Sequence, residues 1–307
     1  MSWRLEDMPS QQGKTWVVTG ANSGVGLATT KALAAKGARV VMACRDLGRS
    51  EAAAAEVRAL APRATVELRR LDVASLASVE AFAAELGAAL PSLDGLINNA
   101  GVMALPRALT ADGFELQLGT NHLGPFALTM RLLPLLEQAP AARVVAVSSQ
   151  THRLGAIAFD DLMGERRYQP WLAYAQSKLA NLLFTFELQR RLAGAGKHTI
   201  AVAGHPGYAA TNLVGVAPRL TGSAFGKVFM ALGNALLAQS AEMGALPVLY
   251  AATAPDVQGG DYFGPEGLFE LFGYPVPVGA ARRARDEAAA RRLWERSEQL
   301  TQARFPW

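Results

Sequence analysis

The feature that most constrains this chain is an alternation of short β-branched runs with helical segments over its first two thirds. The runs are Trp16 to Thr19, Arg39 to Ala43, Thr65 to Leu71, Gly95 to Asn98, Arg143 to Val147 and Thr199 to Ala203, each of strand length. Between them, Leu27 to Lys36, Arg49 to Leu60 and Leu76 to Leu90 carry apolar residues at helical spacing. Strands that alternate with helices predict βαβ units and a parallel sheet covered on both faces, an α/β class. A chain of 307 residues can hold one large domain or two modest ones. No linker rich in Gly, Pro or Ser precedes about residue 205 and no repeat has a fixed period, so a single domain over 1–307 is expected. Beyond Pro206 the pattern changes to helical stretches near 222–239 and 241–252, a strand-like Tyr262-Phe263 among glycines, and a charged helix from Ala281 to Gln302. That helix mixes Arg282, Arg283, Arg285, Arg291 and Arg292 with Asp286, Glu287, Glu295 and Glu298, the pattern of a solvated face.

Composition removes several function classes. The 30 basic residues against 26 acidic ones form no long Lys/Arg block, which gives nucleic-acid binding little support. The single cysteine, Cys44, excludes an intramolecular disulfide and a multi-cysteine metal site, and a reducing, cytoplasmic setting is the simplest expectation. His122, His152, His198 and His205 lack ligand spacing, so no metal is expected. The most lipid-like stretch, Ala224 to Ala238, is broken by Lys227 and Asn234 and falls short of the roughly 18 apolar residues of a spanning helix. The start, Met1-Ser2-Trp3-Arg4-Leu5-Glu6-Asp7, lacks an export pattern, and a soluble protein without an integral membrane segment is expected. No Gly-x-Ser-x-Gly elbow is present for a serine hydrolase.

Directly after the first strand comes Thr19-Gly20-Ala21-Asn22-Ser23-Gly24-Val25-Gly26, followed at once by a helical run. Glycines at this spacing permit a tight turn, a close backbone approach to a pyrophosphate and close helix–strand packing. The helix N-terminus adds unpaired N–H groups and a positive dipole end. A rival phosphate loop ending in Gly13-Lys14-Thr15 fails, because it needs glycine where the chain has Met8. About 20 residues beyond the turn, an acid would bind the ribose hydroxyls of NAD. Here the chain reads Ala43-Cys44-Arg45-Asp46. The Arg45 guanidinium suits a 2′-phosphate and favours NADP(H) over NAD(H), whereas a shift of one residue would put Asp46 at the ribose.

Tyr174 and Lys178 lie one helical turn apart in Tyr174-Ala175-Gln176-Ser177-Lys178, an arrangement suited to general-acid chemistry because an ammonium favours the phenolate. Before them, Arg143 to Val147 runs into Ser148-Ser149 at the strand end where open α/β sheets bind ligands. Earlier still stand Asn98-Asn99-Ala100-Gly101 and the helix-borne Asn121. With the glycine turn and Pro206-Gly207 in this order, the chain resembles the short-chain dehydrogenase/reductase family over nearly its whole length. The resemblance implies a doubly wound Rossmann fold with parallel strand order 3-2-1-4-5-6-7. It places a cofactor-binding part at about 13–150, a catalytic and substrate-lid part at about 150–280, and a C-terminal helix at about 281–304. It also implies that Tyr174 donates and accepts the proton and that Lys178 holds the nicotinamide ribose. Ser149 would bind the substrate oxygen and Asn121 would help hold a water in the relay to Lys178. Gly20, Asn22, Ser23, Gly24, Val25 and Gly26 would wrap the pyrophosphate, and Asp72-Val73 would touch adenine. Asn99, Ala100 and Gly101 would line the adenosine side, and Pro206, Gly207 and Thr211 would contact nicotinamide and phosphates. Ser148, on the opposite side of the pleat, is read as structural, and Asp72 has a competing reading as the cap of the helix from Leu76.

Ser149 and Tyr174 are 25 positions apart, farther than in the shortest family members. The intervening Gln150 to Leu172, with Ala43-Cys44-Arg45-Asp46, Asn121-His122-Leu123-Gly124, His205-Pro206-Gly207-Tyr208 and Tyr250-Ala251-Ala252-Thr253, resembles the retinol-dehydrogenase-like branch. The expected activity is NADP(H)-dependent interconversion of an alcohol and an aldehyde or ketone on a lipophilic small molecule, with a homodimer or homotetramer as the assembly. Alternatives are a dinucleotide-sensing regulator without turnover and a light-driven tetrapyrrole reductase. The apolar segment with Phe225, Phe229, Met230, Leu232, Leu236 and Leu237 falls where the family builds its lid.

Overall fold

The structure, a computed structural model, describes residues 2–208 and 239–307. Its strands are β1 (Thr15–Thr19), β2 (Arg39–Cys44), β3 (Val66–Arg70), β4 (Gly95–Asn98), β5 (Arg143–Val147), β6 (Ile200–Gly204), β7 (Tyr262–Pro265) and β8 (Pro275–Pro277). They form one sheet in the order β3-β2-β1-β4-β5-β6-β7-β8. All neighbours pair in parallel except β8, which returns antiparallel on β7. The doubly wound α/β fold and the order of the first seven strands are those expected. The eighth strand was not, because Pro275–Pro277 is too short and proline-rich to read as a strand, and proline is tolerated only at such an edge.

The principal helices are α1 (Gly24–Ala35), α2 (Leu47–Leu60), α3 (Leu76–Ala89), α4 (Gly124–Leu136), α5 (Pro170–Gly194), α6 (Ala241–Thr253) and α7 (Glu287–Thr301). Alternation along the strands sends each residue to one of two cores. Val18, Val40, Met42 and Val145 face α1, α2 and α6, through Leu33, Val57 and Val248. Val17, Val41 and Val144 face α3, α4 and α5, through Phe82, Phe126 and Leu188. At the exposed edge, β3 carries Glu67 between Arg39 and Arg69, and these charges discourage pairing with another chain.

The C-terminal segment is two elements rather than one helix. A 3₁₀ turn, Arg282–Arg285, stops at Asp286, whose side chain accepts from the Ala289 N–H and caps α7. The charged side of α7 faces water, as expected, but its other side buries Leu293 and Trp294. Trp294 stacks on Phe184 of α5 at 5.9 Å and meets Phe126 of α4 edge-on at 5.0 Å. The outer sides of α4 and α5 are therefore covered in part by the chain's own α7. Positions 222–238 of the expected helix, with the apolar residues Phe225 to Leu237, lie outside the described residues. Trp294→Ala should destabilise the fold by about 3–5 kcal/mol, read as a lower urea midpoint, because the ring fills the space between three helices.

Candidate active site

Strand order reverses between β1 and β4, and the crevice beyond their carboxyl ends is where an open α/β sheet binds ligands. Two turns meet there. Thr19 accepts at Oγ1 from the N–H groups of Asn99 (3.0 Å) and Ala100 (2.9 Å), and Asn99 Nδ2 donates to the Thr19 carbonyl at 2.8 Å. Gly20 has φ +65°, and a Cβ on Gly26 would lie 2.3 Å from the Gly20 carbonyl oxygen and 2.4 Å from Asn99 Nδ2. Glycine is thus required by close packing against the first turn. Ser23 precedes α1 in extended conformation without a side-chain cap, so Gly24, Val25 and Gly26 present the start of α1 to the crevice with the dipole's positive end. Asn22 and Ser23 are half-buried beside them. Asn99, expected to line the adenosine side, also builds the glycine turn through its amide.

Farther along the edge, Asp46 caps α2, accepting from the Arg49 N–H at 3.0 Å, and pairs with the Arg49 side chain at 3.2 Å. Arg45 is exposed and lines an open recess of about 440 Å³ with Asp46, Leu47 and Arg70. Arg70 ends β3 in register with Cys44, and neither Arg45 nor Arg70 has an ion-pair partner among the described residues. Arg70 was not anticipated. Its signal was the strand end two residues before Asp72, but only sheet register brings it beside Arg45. Asp72 Oδ1 accepts from the Ala74 N–H at 2.9 Å, while Ser75 caps α3. The competing helix-cap reading of Asp72 therefore fails. Val73 is buried, and its carbonyl lies against Gly124 at the start of α4.

The chemical end is assembled by α5. Tyr174 is 6% exposed and Lys178 5%. The Lys178 Nζ lies 5.6 Å from the centre of the Tyr174 ring and donates to the Val147 carbonyl at 3.0 Å. Burial pushes the Tyr174 phenol up to about 12, with the Ser149 hydroxyl pulling the other way, and pulls Lys178 down to about 8. Ser148 Oγ donates to the Lys178 carbonyl at 2.9 Å, in keeping with its structural reading. Asn121 sits in a π-helical turn, Gly119–Leu123, a distortion frequent at functional sites. Its amide accepts from the Val102 N–H at 2.8 Å and donates to Ser177 Oγ at 2.9 Å, tying the β4 turn to α5. A Cβ on Gly101 would lie 3.0 Å from Asn121 Oδ1 and 3.7 Å from Lys178 Nζ, so this turn closes over both. Pro206 and Gly207 follow β6, with Gly207 at φ +63° against the Leu271 carbonyl. Thr211 lies outside the described residues. No cluster of three or more metal-ligating side chains occurs among the described residues.

The insertion between Ser149 and Tyr174 opens as a 3₁₀ turn, Gln150–Leu154. His152 Nδ1 lies 2.7 Å from the Ser149 carbonyl, and its Nε2 accepts from the Ala281 N–H at 3.1 Å, which selects the neutral Nδ1–H tautomer. Burial lowers His152 to about 4 and His122 to about 3. Both titrate near 6.5 in an unfolded chain, which then binds more protons than the native state between about pH 6.5 and about pH 4. Stability should fall as pH drops through that window. Thermal unfolding should give a lower Tm near pH 5 than near pH 7.5, and His152→Gln should flatten part of that slope. A Tm independent of pH there would contradict the buried neutral state.

The short chain dehydrogenase family matches residues 14–219. Human Retinol dehydrogenase 13 is 43% identical over 297 residues, covering 96% of this chain and 86% of the relative. Retinol dehydrogenase 14 of Mus musculus is 44% identical over 301 residues, covering 93% and 85%. The crystal structure of an uncharacterized protein from Mycobacterium paratuberculosis shares 48% identity, covers 100% of both chains and superposes with a TM-score of 0.83. The glycine turn locked to Asn99, the buried Tyr174–Lys178 pair and similarity across nearly the full length agree, and the chain belongs to the short-chain dehydrogenase/reductase family, with retinol dehydrogenases among its relatives.

Proposed function

We propose that the chain is an NADP(H)-dependent oxidoreductase that interconverts an alcohol and a carbonyl group on a lipophilic small molecule. The observation that carries this reading is the burial of Tyr174 beside Ser149 and Lys178 at the carboxyl edge of the sheet. The residues fit a dinucleotide. The turn from Gly20 to Gly26 leaves the start of α1 open to phosphates, and Arg45 and Arg70 line a recess with Asp46 and Leu47 at the ends of β2 and β3. With Asp46 committed to its helix cap and to Arg49, the recess favours a 2′-phosphate over bare ribose hydroxyls. Asp72 and Val73 would border adenine, Ala100 and Gly101 the adenosine side, and Pro206-Gly207 the nicotinamide. The cofactor, when bound, supplies or accepts the hydride.

The chain's own groups handle the oxygen and its proton. With the phenol pushed to about 12, Tyr174 is protonated at neutral pH and can donate to the oxygen of a carbonyl being reduced. The Ser149 hydroxyl orients that oxygen. Lys178, lowered to about 8, is still mostly cationic at neutral pH, and its charge stabilises the phenolate left behind. In oxidation the same groups run in reverse. Asn121 positions the β4 turn against Ser177 and adjoins Lys178, where the relay that reprotonates Tyr174 would begin. Trp171, 46% exposed and edge-on to Tyr174 at 6.3 Å, and Leu172, 58% exposed, give the surroundings an apolar character suited to a lipophilic substrate. A homodimer or homotetramer remains the proposed assembly, with α7 contributing to its outer surface. No helix among the described residues is long and apolar enough to cross a membrane, and cytoplasmic placement belongs to this proposal.

Two measurements test the reading. In NADPH oxidation with decanal, acetophenone and all-trans-retinal as probes, Tyr174→Phe should lose at least about 100-fold in kcat while nucleotide affinity is retained. Wild-type turnover in that variant would overturn the catalytic assignment. In calorimetric titration, Arg45→Ala and Arg70→Ala should each weaken NADP⁺ binding about 10- to 100-fold and leave NAD⁺ binding nearly unchanged. An equal loss for both nucleotides would remove the 2′-phosphate reading.

A further inference from the structure

The loop after β7 carries backbone strain with no place in the sheet. Phe269 and Glu270 are consecutive non-glycine residues with φ of +53° and +56°. Such strained residues persist only where surrounding contacts over-determine them. The contacts converge on the Glu270 carboxylate. Its Oε1 accepts from Arg153 Nη2 at 2.8 Å, and its Oε2 accepts from the Gln150 amide and from His205 Nε2 at 2.9 Å. Arg153 Nε also donates to Gln150 Oε1 at 2.8 Å, and Gln150 Nε2 donates to the Phe269 carbonyl at 3.0 Å. Burial pushes Glu270 up, but His205 and Arg153 outweigh it and hold the carboxyl below its ordinary value.

These partners come from two separate pieces of the site. Gln150 and Arg153 belong to the 3₁₀ turn that Ser149 caps, accepting from the Thr151 N–H at 3.3 Å. His205 follows β6 directly and is fully buried, and its Nδ1 accepts from the Gly207 N–H at 3.2 Å. The same loop reaches Pro206-Gly207-Tyr208 a second time, through the Tyr208 N–H donating to the Leu271 carbonyl at 2.8 Å. One carboxylate thus joins the turn bearing Ser149 to the turn proposed to face the nicotinamide. The sheet ladder between these two strands ends where the Ser148 N–H donates to the Gly204 carbonyl at 2.9 Å, and the Glu270 carboxylate bridges the turns beyond it.

We infer that Glu270 is a positioning residue, which holds the Ser149 turn and the Pro206-Gly207 turn in register so that substrate oxygen and nicotinamide meet at the right separation. This rests on the proposed role of Ser149. A neutral replacement cannot serve all three donors. Glutamine at 270 can keep its oxygen on His205 and Gln150, but its amide nitrogen then opposes Arg153. Alanine leaves His205 without an acceptor, leaves the Gln150 amide only the Phe269 carbonyl, and frees the loop to relax its left-handed residues.

The test compares wild type, Glu270→Gln and Glu270→Ala with NADPH and the fastest of the three carbonyl probes, alongside amide hydrogen exchange. For Glu270→Ala, kcat should fall about 10- to 100-fold, as for a misplacement near 1 Å, with the NADPH Kd unchanged and folded protein confirmed by its melting transition. Glu270→Gln should recover part of that loss, and exchange should accelerate in both 150–154 and 205–208 but not in the glycine turn. If Glu270→Ala does not fold, Glu270→Gln decides alone, and an unchanged kcat in it overturns the inference. A kcat within error of wild type in both variants overturns it too, as does a loss that appears only as a lower melting temperature. If wild type turns over none of the probes, the oxidoreductase reading fails, and exchange still decides whether Glu270 couples the two turns.

Discussion

Everything in this site depends on how closely two turns approach at the point where strand order reverses. The hydroxyl of Thr19 holds the N–H groups of Asn99 and Ala100, while Asn99 returns its amide to the Thr19 carbonyl. That crossing leaves no volume for a side chain at Gly26. It satisfies backbone groups that would otherwise be orphaned at the ends of β1 and β4, and it leaves the first N–H groups of α1 facing the crevice. A dinucleotide site of this kind is therefore a by-product of packing two strand ends tightly. Its anion preference follows from the helix terminus without any basic side chain in the turn.

Burial sets the chemistry at the other end. A single long helix places Tyr174 and Lys178 on one face, and the carbonyl of Val147 receives the ammonium. The same desolvation raises the phenol and lowers the amine, because burial disfavours the charged form of each. Burial thus favours the neutral form of each, so the phenol keeps its proton at neutral pH while the amine titrates closer to it. Asn121 adds rigidity. Its amide, committed to Val102 and Ser177, ties the π-helical turn to the β4 turn and to α5.

The surrounding segments are held by side chains rather than by further strands. Gln176 of α5 accepts from the Ala158 N–H and donates to the Leu162 carbonyl, and Tyr168 donates to the Leu105 carbonyl, which together pin the long connection before Tyr174. Trp294 closes the outer side of α4 and α5. A loop of this length has few regular backbone partners, so polar side chains supply the hydrogen bonds that sheet and helix provide elsewhere.

The layered α/β architecture was legible from periodicity. Strand ends differ by one or two residues from those read in the sequence, as at β1, which starts at Thr15, and β3, which ends at Arg70. The glycine turn and the Tyr174–Lys178 pair stood out by residue type at short spacing, and Ser149 by its place at a strand end together with the family resemblance. Arg70, Glu270 and the full role of Asn99 were not, since their partners lie far away in the chain. Arg70 meets Arg45 through the register of β2 and β3, and Glu270 reaches Gln150 across 120 positions. The sequence by itself determined the sheet, its two cores and the local chemical groups, because those follow from side-chain period and from spacing within one turn. Only tertiary structure decided that Asp46 caps a helix, that Asn99 builds the turn beside it, and that one carboxylate joins two loops. Each of those outcomes is a competition among distant hydrogen-bond partners for the same buried group.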